Sequence, residues 1–333
     1  MANVTLGPVA LRASAAAMMK CMVGLHSWHA AQGLHGQESA VTLYRSLCQY
    51  VMGRPDTLEL NTLAADIVVR LGTLQREQHA HLPAPEAYAQ RIRAFVRNHD
   101  DRARLEHTAS QLDAWLHGLA ASAYGRLAAR ALELLAELGA SLPGAQPFRD
   151  AYVTIAPPGQ ASTGQYVPWL AAVAVQIDTI LRGPFPELEF VETLLHEQVH
   201  AVIHERMGDG GEHYQRLPWL NELTAITLSQ YALGRAYADM RGLPDLANVP
   251  GALRISRAQQ EWGDLASAVL RATREPLVGW RAWQIIFARG AYARRNFAHR
   301  ELLPAILAEA GWPASFPFHY GTHSVDCRDD WVG

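Results

Sequence analysis

The sequence has only one lysine, Lys20, among its 333 residues, so arginine carries nearly all of the positive charge. Its three cysteines, Cys21, Cys48 and Cys327, are an odd number without a Cys-x-x-Cys spacing. This argues against a disulfide framework and a thiolate zinc knuckle, and it favours a reducing compartment. The formal net charge of -3 provides no broad basic field for binding nucleic acid.

Long apolar runs are missing as well. The most apolar stretch near the N-terminus, residues 15–25, is interrupted by Lys20, whereas a membrane span would need about 20 apolar residues. No Lys or Arg precedes Arg12, so the basic start that is typical of a secretory signal is not there. We therefore expect a cytoplasmic protein that binds neither a membrane nor nucleic acid. The oligomeric state stays open.

Apolar periodicity typical of helices dominates the sequence. Residues 1–145 are rich in Ala, Leu, Arg and Gln, with apolar positions three and four residues apart, which predicts a helical domain. Residues 146–240 include two short runs typical of strands, Tyr152–Ile155 and Val173–Ile177, which we predict to form a hairpin. Residues 241–333 are predicted to be helical again, with a C-terminal tail. The predicted fold is mainly α with a small β-sheet, an α+β class.

A metal-binding pattern lies on a strongly periodic helix predicted over residues 187–207, in the segment His196-Glu197-Gln198-Val199-His200. Histidines four residues apart project from one face of a helix, about 6 Å apart along its axis, so one metal ion can bind both rings. Glu197 lies about 100° around the helix, where it can reach a water on the metal without being a ligand. Apolar neighbours indicate that the helix is buried, and buried imidazoles need partners. This favours a metal site over two solvated histidines.

A third ligand is needed, and Glu222 is the best candidate. It lies early in a helix that we predict to begin at Pro218, and a second helix packed against the first can direct such a carboxylate at the metal. His213, on the intervening glycine-rich loop, is an alternative. His204 lies one further turn, about 6 Å, beyond His200 and cannot reach an ion held by the first two histidines. An acid at the start of a helix can also be favoured by the helix dipole alone.

These residues resemble the gluzincins, the thermolysin-like branch of the zinc metallopeptidases, over roughly residues 150–240. The resemblance rests on His196-Glu197-x-x-His200 followed by Asn221-Glu222. It implies a zincin-like core in which His196, His200 and Glu222 bind Zn²⁺. It also implies that Glu197 is the general base and that the substrate is a peptide or protein.

Two further features follow from the resemblance. The strand Val173–Ile177 would be the sheet edge that pairs with an extended peptide substrate. One position departs from the family pattern, because Ile226 stands where the family often has an aspartate that orients the first histidine. The partner of that histidine must then come from elsewhere, or the chemistry differs.

A second resemblance stays open for this reason. Two histidines and one carboxylate are also the ligand set of non-haem iron oxygenases. This region is similar to peptide hydroxylases that carry an HExxH motif and use Fe²⁺ with 2-oxoglutarate. The shared pattern is a helix, a glycine-containing loop and a His-Tyr…Pro-Trp segment, here His213-Tyr214 and Pro218-Trp219. Such an enzyme needs an arginine for the distal carboxylate of 2-oxoglutarate. The arginines near in sequence are Arg206, Arg216 and Arg235. In a third interpretation the ion only braces two helices.

Catalytic roles can be assigned for the hydrolase. Glu197 would accept the proton of the attacking water and pass it to the leaving amine. The oxyanion needs a further donor, and the candidate catalytic residues on the loop are Tyr214 and His213, with Arg216 as another possible donor. Tyr231 follows Glu222 by nine residues, which places it on the opposite face of the same helix, so we expect it in the core.

Overall fold

The structure is a computed structural model that describes residues 4–32, 38–77, 99–139, 148–155, 163–207, 218–240, 275–289, 302–312, 319–320 and 323–324. The strands are β1 (Val4–Leu6), β2 (Val9–Arg12), β3 (Ala151–Thr154), β4 (Gly164–Val167), β5 (Ala172–Gln176), β6 (His319–Tyr320) and β7 (His323–Ser324). The helices are α1 (Ala15–Gln32), α2 (Glu38–Met52), α3 (Leu60–Glu77), α4 (His99–Ala121), α5 (Ala123–Gly139), α6 (Ile177–Ile180), α7 (Pro186–Met207), α8 (Pro218–Asp239), α9 (Val278–Ala288) and α10 (Leu302–Glu309). Within these residues, no helix is long and apolar enough to cross a membrane.

A mixed sheet of five strands has the order β1-β2-β3-β5-β4. β2 pairs in parallel with β3, and β3 in parallel with β5, whereas β4 is antiparallel to β5. In the ladder between β3 and β5, Ala151 lies opposite Val173 and Thr154 lies opposite Gln176. The small sheet among predominant helices confirms the predicted α+β class.

The pairing of the strands differs from the prediction. Tyr152–Ile155 and Val173–Ile177 do not form a hairpin, because β3 and β5 run parallel and the antiparallel partner of β5 is β4. β1 and β2 lie in a region predicted to be helical. Buried Val9 and Leu11 alternate with more exposed neighbours in β2, but four residues are too few for this period of two to stand out in the sequence.

β5 is an interior strand, so the prediction that Val173–Ile177 is the edge that pairs with substrate is wrong. β3 and β4 occupy its two hydrogen-bonding sides, and the edges of the five-stranded sheet are β1 and β4. All five residues of β5 are buried. Its Ala-Val-Ala-Val run lacks the polar alternation of a strand with one wet face, which is typical of a strand covered on both faces.

The chain divides into two compact units. The first consists of residues 1–5, 10–121 and 150–182. In this unit α1 packs against α2 and against β3. Gly24 of α1 allows a close approach, since a Cβ there would lie 1.9 Å from Leu170 Cδ2. The division into three domains predicted from the sequence stays a prediction.

The single lysine is buried in this first unit. Lys20 Nζ donates to the carbonyl oxygen of Arg54 at 2.5 Å and to Asp56 Oδ1 at 2.7 Å. Asp56 also accepts a hydrogen bond from Arg12 Nη1 at 2.6 Å. Because buried charge is costly without partners, this set of contacts explains how an ammonium group can lie in the core.

Residues 6–9, 122–149 and 183–333 form the second unit. In it α5, α7 and α8 pack against one another, α9 packs against α8, and α10 packs against α9. Arg130 of α5 pairs with Asp239 at the end of α8, with 3.0 Å between Nε and Oδ2. Helices α7 and α8, which carry the three predicted metal ligands, both belong to this unit.

Candidate metal centre

Helix α7 carries both histidines of the motif. It begins at Pro186, whose fixed φ suits a first turn, and the acidic Glu187 and Glu189 in that turn complement the helix dipole. One helical turn separates His196 from His200, and both are buried, with 5% and 3% of their surfaces exposed. The helix therefore presents two imidazoles on one face inside the protein.

Helix α8 brings the carboxylate to these rings. It begins at Pro218, so Glu222 lies in its early turns. Glu222 Oε2 is 3.3 Å from His196 Nε2, Glu222 Oε1 is 3.4 Å from His200 Nε2, and the two Nε2 atoms are 2.9 Å apart. Ligand atoms of all three side chains lie within 4.8 Å of one another. The structure thus brings together the three residues predicted as metal ligands.

The spacing of these atoms suits a divalent cation. Ligands about 2.0–2.1 Å from a tetrahedral zinc ion are about 3.3 Å from one another. Two of the three distances, 3.3 and 3.4 Å, match this value, and the 2.9 Å between the rings is a few tenths shorter. Two imidazoles and one carboxylate are donors that both Zn²⁺ and Fe²⁺ accept. The residues fit a metal ion, and the donor set is compatible with either one.

The charges of the three side chains are strongly coupled. Burial lowers the pKa of His200, but the charge of Glu222 and a hydrogen bond to its carboxylate outweigh burial and raise this pKa to about 9. The charge of Glu197 and the side chain of Asn221 act in the same direction. Burial raises the pKa of Glu222, but the charge of His200 and hydrogen bonds from both rings hold it well below its usual range. A proton therefore stabilises this group in the metal-free protein, and a bound cation would replace it.

Glu197 and Gln198 lie between the histidines and have different surroundings. Glu197 is buried, and its charge is near enough to raise the pKa of His200. Gln198 is fully buried and binds the backbone of Arg149, donating from Nε2 to the carbonyl at 2.6 Å and accepting the N–H at Oε1 at 3.1 Å. Gln198 therefore anchors α7, while Glu197 is the acidic neighbour of the ligands.

Nδ1 of each ring is buried, and Asn221 interacts with His200. Asn221 is 2% exposed, and its side chain favours the protonated form of His200. In the sequence, only its place next to Glu222 in the motif distinguishes Asn221. Nδ1 of His196 is buried and has no hydrogen-bond partner among the described residues. Ile226, one turn beyond Glu222, is buried and apolar and provides no acceptor.

Other residues considered from the sequence are not part of this ligand group. Outside the described residues lie His213, Tyr214 and Arg216, together with the side chain of Arg206. His204 is buried on α7 but does not belong to the group. Arg235 is exposed, and Tyr231 is half-buried on α8 rather than fully in the core.

Comparison with known proteins identifies no relative, so a proposal about function must rest on the geometry of the metal centre. No family model, no curated protein and no solved structure matches this chain. The resemblance to gluzincins thus depends on the motif residues themselves.

Proposed function

We propose that this protein is a zinc-dependent metallohydrolase that cleaves peptide bonds. The observation that supports it is the meeting of His196, His200 and Glu222 inside the protein, with ligand atoms within 4.8 Å, beside the buried Glu197. Apolar side chains of similar volume would join two helices at least as well as buried charges do. Coupled titratable groups of this kind therefore favour a functional centre over a purely structural contact.

The residues of the site have distinct tasks in this proposal. A zinc ion held by the three ligands would polarise the carbonyl of a peptide or protein substrate and lower the pKa of a water molecule toward about 7. Glu197 would accept the proton of the attacking water and deliver it to the leaving amine. His213 and Tyr214 are proposed as donors to the oxyanion. The proposal places this activity in the cytoplasm.

Metal analysis and a peptide digest test the proposal. Protein purified without chelators should contain about one zinc ion per chain, and mass spectrometry should detect cleaved products from a mixture of peptides. Glu197→Gln should keep the zinc and lose about 10²–10⁴-fold in turnover, because the general base is removed but no ligand is. Glu137→Gln, on the exposed face of α5, is the control and should keep both zinc and activity. Undiminished turnover in Glu197→Gln would refute the assigned base.

A non-haem Fe²⁺ and 2-oxoglutarate dependent peptide hydroxylase is the second candidate. The observation that favours it is the apolar Ile226, since the aspartate that often supports a gluzincin site is replaced there. The same three ligands would then hold Fe²⁺. Conversion of 2-oxoglutarate to succinate by the iron-loaded protein, with no peptide cleaved by the zinc-loaded protein, would decide for the hydroxylase.

A further inference from the structure

His196 has a donor position that its surroundings do not satisfy. If Nε2 of this ring binds a metal, the proton of the neutral imidazole must lie on Nδ1. That atom is buried and lacks a hydrogen-bond partner among the described residues. A metal-binding histidine almost always donates this N–H to a carboxylate, a carbonyl or a water, because the contact fixes the ring and raises its basicity.

Glu192 of α7 is the candidate acceptor for this N–H. It precedes His196 by four residues, and side chains at this spacing meet on one face of a helix, about 5–6 Å apart at their Cβ atoms. Glu192 is half-buried, and it makes no hydrogen bond or ion pair with another residue that the structure describes. A half-buried carboxylate without a partner among the described residues and a buried N–H without an acceptor thus belong to residues one turn apart.

We propose that Glu192 is a positioning residue of the metal centre, whose carboxylate accepts the Nδ1–H of His196 when Nε2 of that ring binds the metal. The inference rests on the metal site of the proposed function. It requires only a change in the side-chain torsions of Glu192, because both residues are on the same helix. It gives the Nδ1–H of His196 an acceptor from within its own helix.

The surroundings of Glu192 agree with this role. Burial, together with the charge of neighbouring Glu189, raises the pKa of Glu192 to about 8, so its carboxylate lacks compensation in the metal-free protein. A bound cation and an N–H donor one turn away would provide that compensation. Ile226, one turn beyond Glu222 on α8, is buried and apolar, so it provides neither a charge nor a hydrogen bond.

Zinc affinity, measured by competition with a chromophoric chelator, tests the inference. Glu192→Leu should bind zinc about 10–100-fold more weakly than the wild-type protein. Glu192→Gln should lose only a few-fold, because its amide oxygen can still accept the N–H. Adding Ile226→Asp to Glu192→Leu should restore most of the affinity, since residue 226 lies on the same face of α8 as Glu222. Glu189→Leu is the matched control and should bind as the wild type does, because it lies about two turns from His196.

A second measurement addresses the hydrogen bond itself. In zinc-loaded protein labelled with ¹⁵N-histidine, the Nδ1 proton of His196 should resonate downfield and should shift in Glu192→Gln. Equal zinc affinities of wild type and Glu192→Leu, or a His196 Nδ1 proton that is the same in wild type and Glu192→Gln, would overturn the inference while the metal site stands. Wild-type protein that binds no metal would overturn the proposed function and, with it, this role of Glu192.

Discussion

His196 and His200 each have a buried Nδ1 atom. The side chain of Asn221 helps to raise the pKa of His200, and Nδ1 of His196 has no hydrogen-bond partner among the described residues. In the metal-free protein the charge of Glu222 keeps His200 protonated against the effect of burial. Metal binding must displace that proton, so we expect zinc to compete with protons for this group of side chains.

Glu192 contributes to the pH dependence of stability in the metal-free protein. Its pKa in the folded protein is about 8, raised from an ordinary value of 4.5 by burial and by Glu189. Between these two values the folded protein holds one more proton at this site than the unfolded chain does. The contribution of Glu192 to the free energy of unfolding therefore falls as pH rises, by at most about 1.4 kcal/mol per pH unit, and levels off above the folded pKa.

Urea unfolding of chelator-treated protein checks this prediction. Glu192→Gln has no such titration, so it should gain stability relative to the wild type as pH rises from about 5 to about 8. Titrating groups that do not interact with Glu192 are common to both proteins and cancel in the difference. A difference that stays constant over this pH range would contradict the raised pKa of Glu192.

At the scale of secondary-structure elements, the bounds of helices α7 and α8 agree closely with those predicted from the sequence. The sequence predicts residues 187–207 and a helix from Pro218 to Met240, and the structure has Pro186–Met207 and Pro218–Asp239. Apolar periodicity and prolines that suit a first turn act within a few residues, so sequence alone reveals them. Strand pairing was predicted less well, because partners such as β3 and β5 are chosen by contacts between distant segments.

At Gly24, helix α1 packs closely against Leu170. A Cβ at this position would lie 1.9 Å from Cδ2 and 2.9 Å from Cγ of the buried Leu170. Gly24→Ala should therefore lower the free energy of unfolding by about 1–3 kcal/mol. Gly118→Ala on α4 is the control, because nothing lies within 4 Å of its added Cβ. That change should raise stability by up to about 1 kcal/mol, since alanine favours a helix over glycine. Urea denaturation that shows the same sign for both would contradict this packing.

Across the whole molecule, the predicted ligands and the sheet belong to different compact units. All three ligands lie in the unit that contains α7 and α8, whereas α1, α2 and most of the sheet lie in the other. Any free energy that metal binding contributes should therefore act first on the unit that contains the ligands. This separation allows a test of how far the metal supports the fold.

Removal of zinc should affect the two units unequally. After chelation we expect faster amide hydrogen exchange in α7 and α8, while α1 and α2 keep their protection. Hydrogen exchange with mass spectrometry, with and without added zinc, measures both regions in one experiment. Equal loss of protection throughout the described helices would contradict the prediction and would favour an ion that mainly holds the fold together.

The sequence by itself determined the features that arise within a few residues. Helical periodicity placed His196 and His200 on one face of a helix, and the position of Glu222 after Pro218 made it the leading third ligand. Only the tertiary structure decided which groups meet across the chain. It brought Glu222 to both rings, placed Lys20 against Asp56 in the core and made β5 an interior strand. These outcomes depend on packing between segments far apart in sequence, which local patterns of polarity and turn residues do not specify.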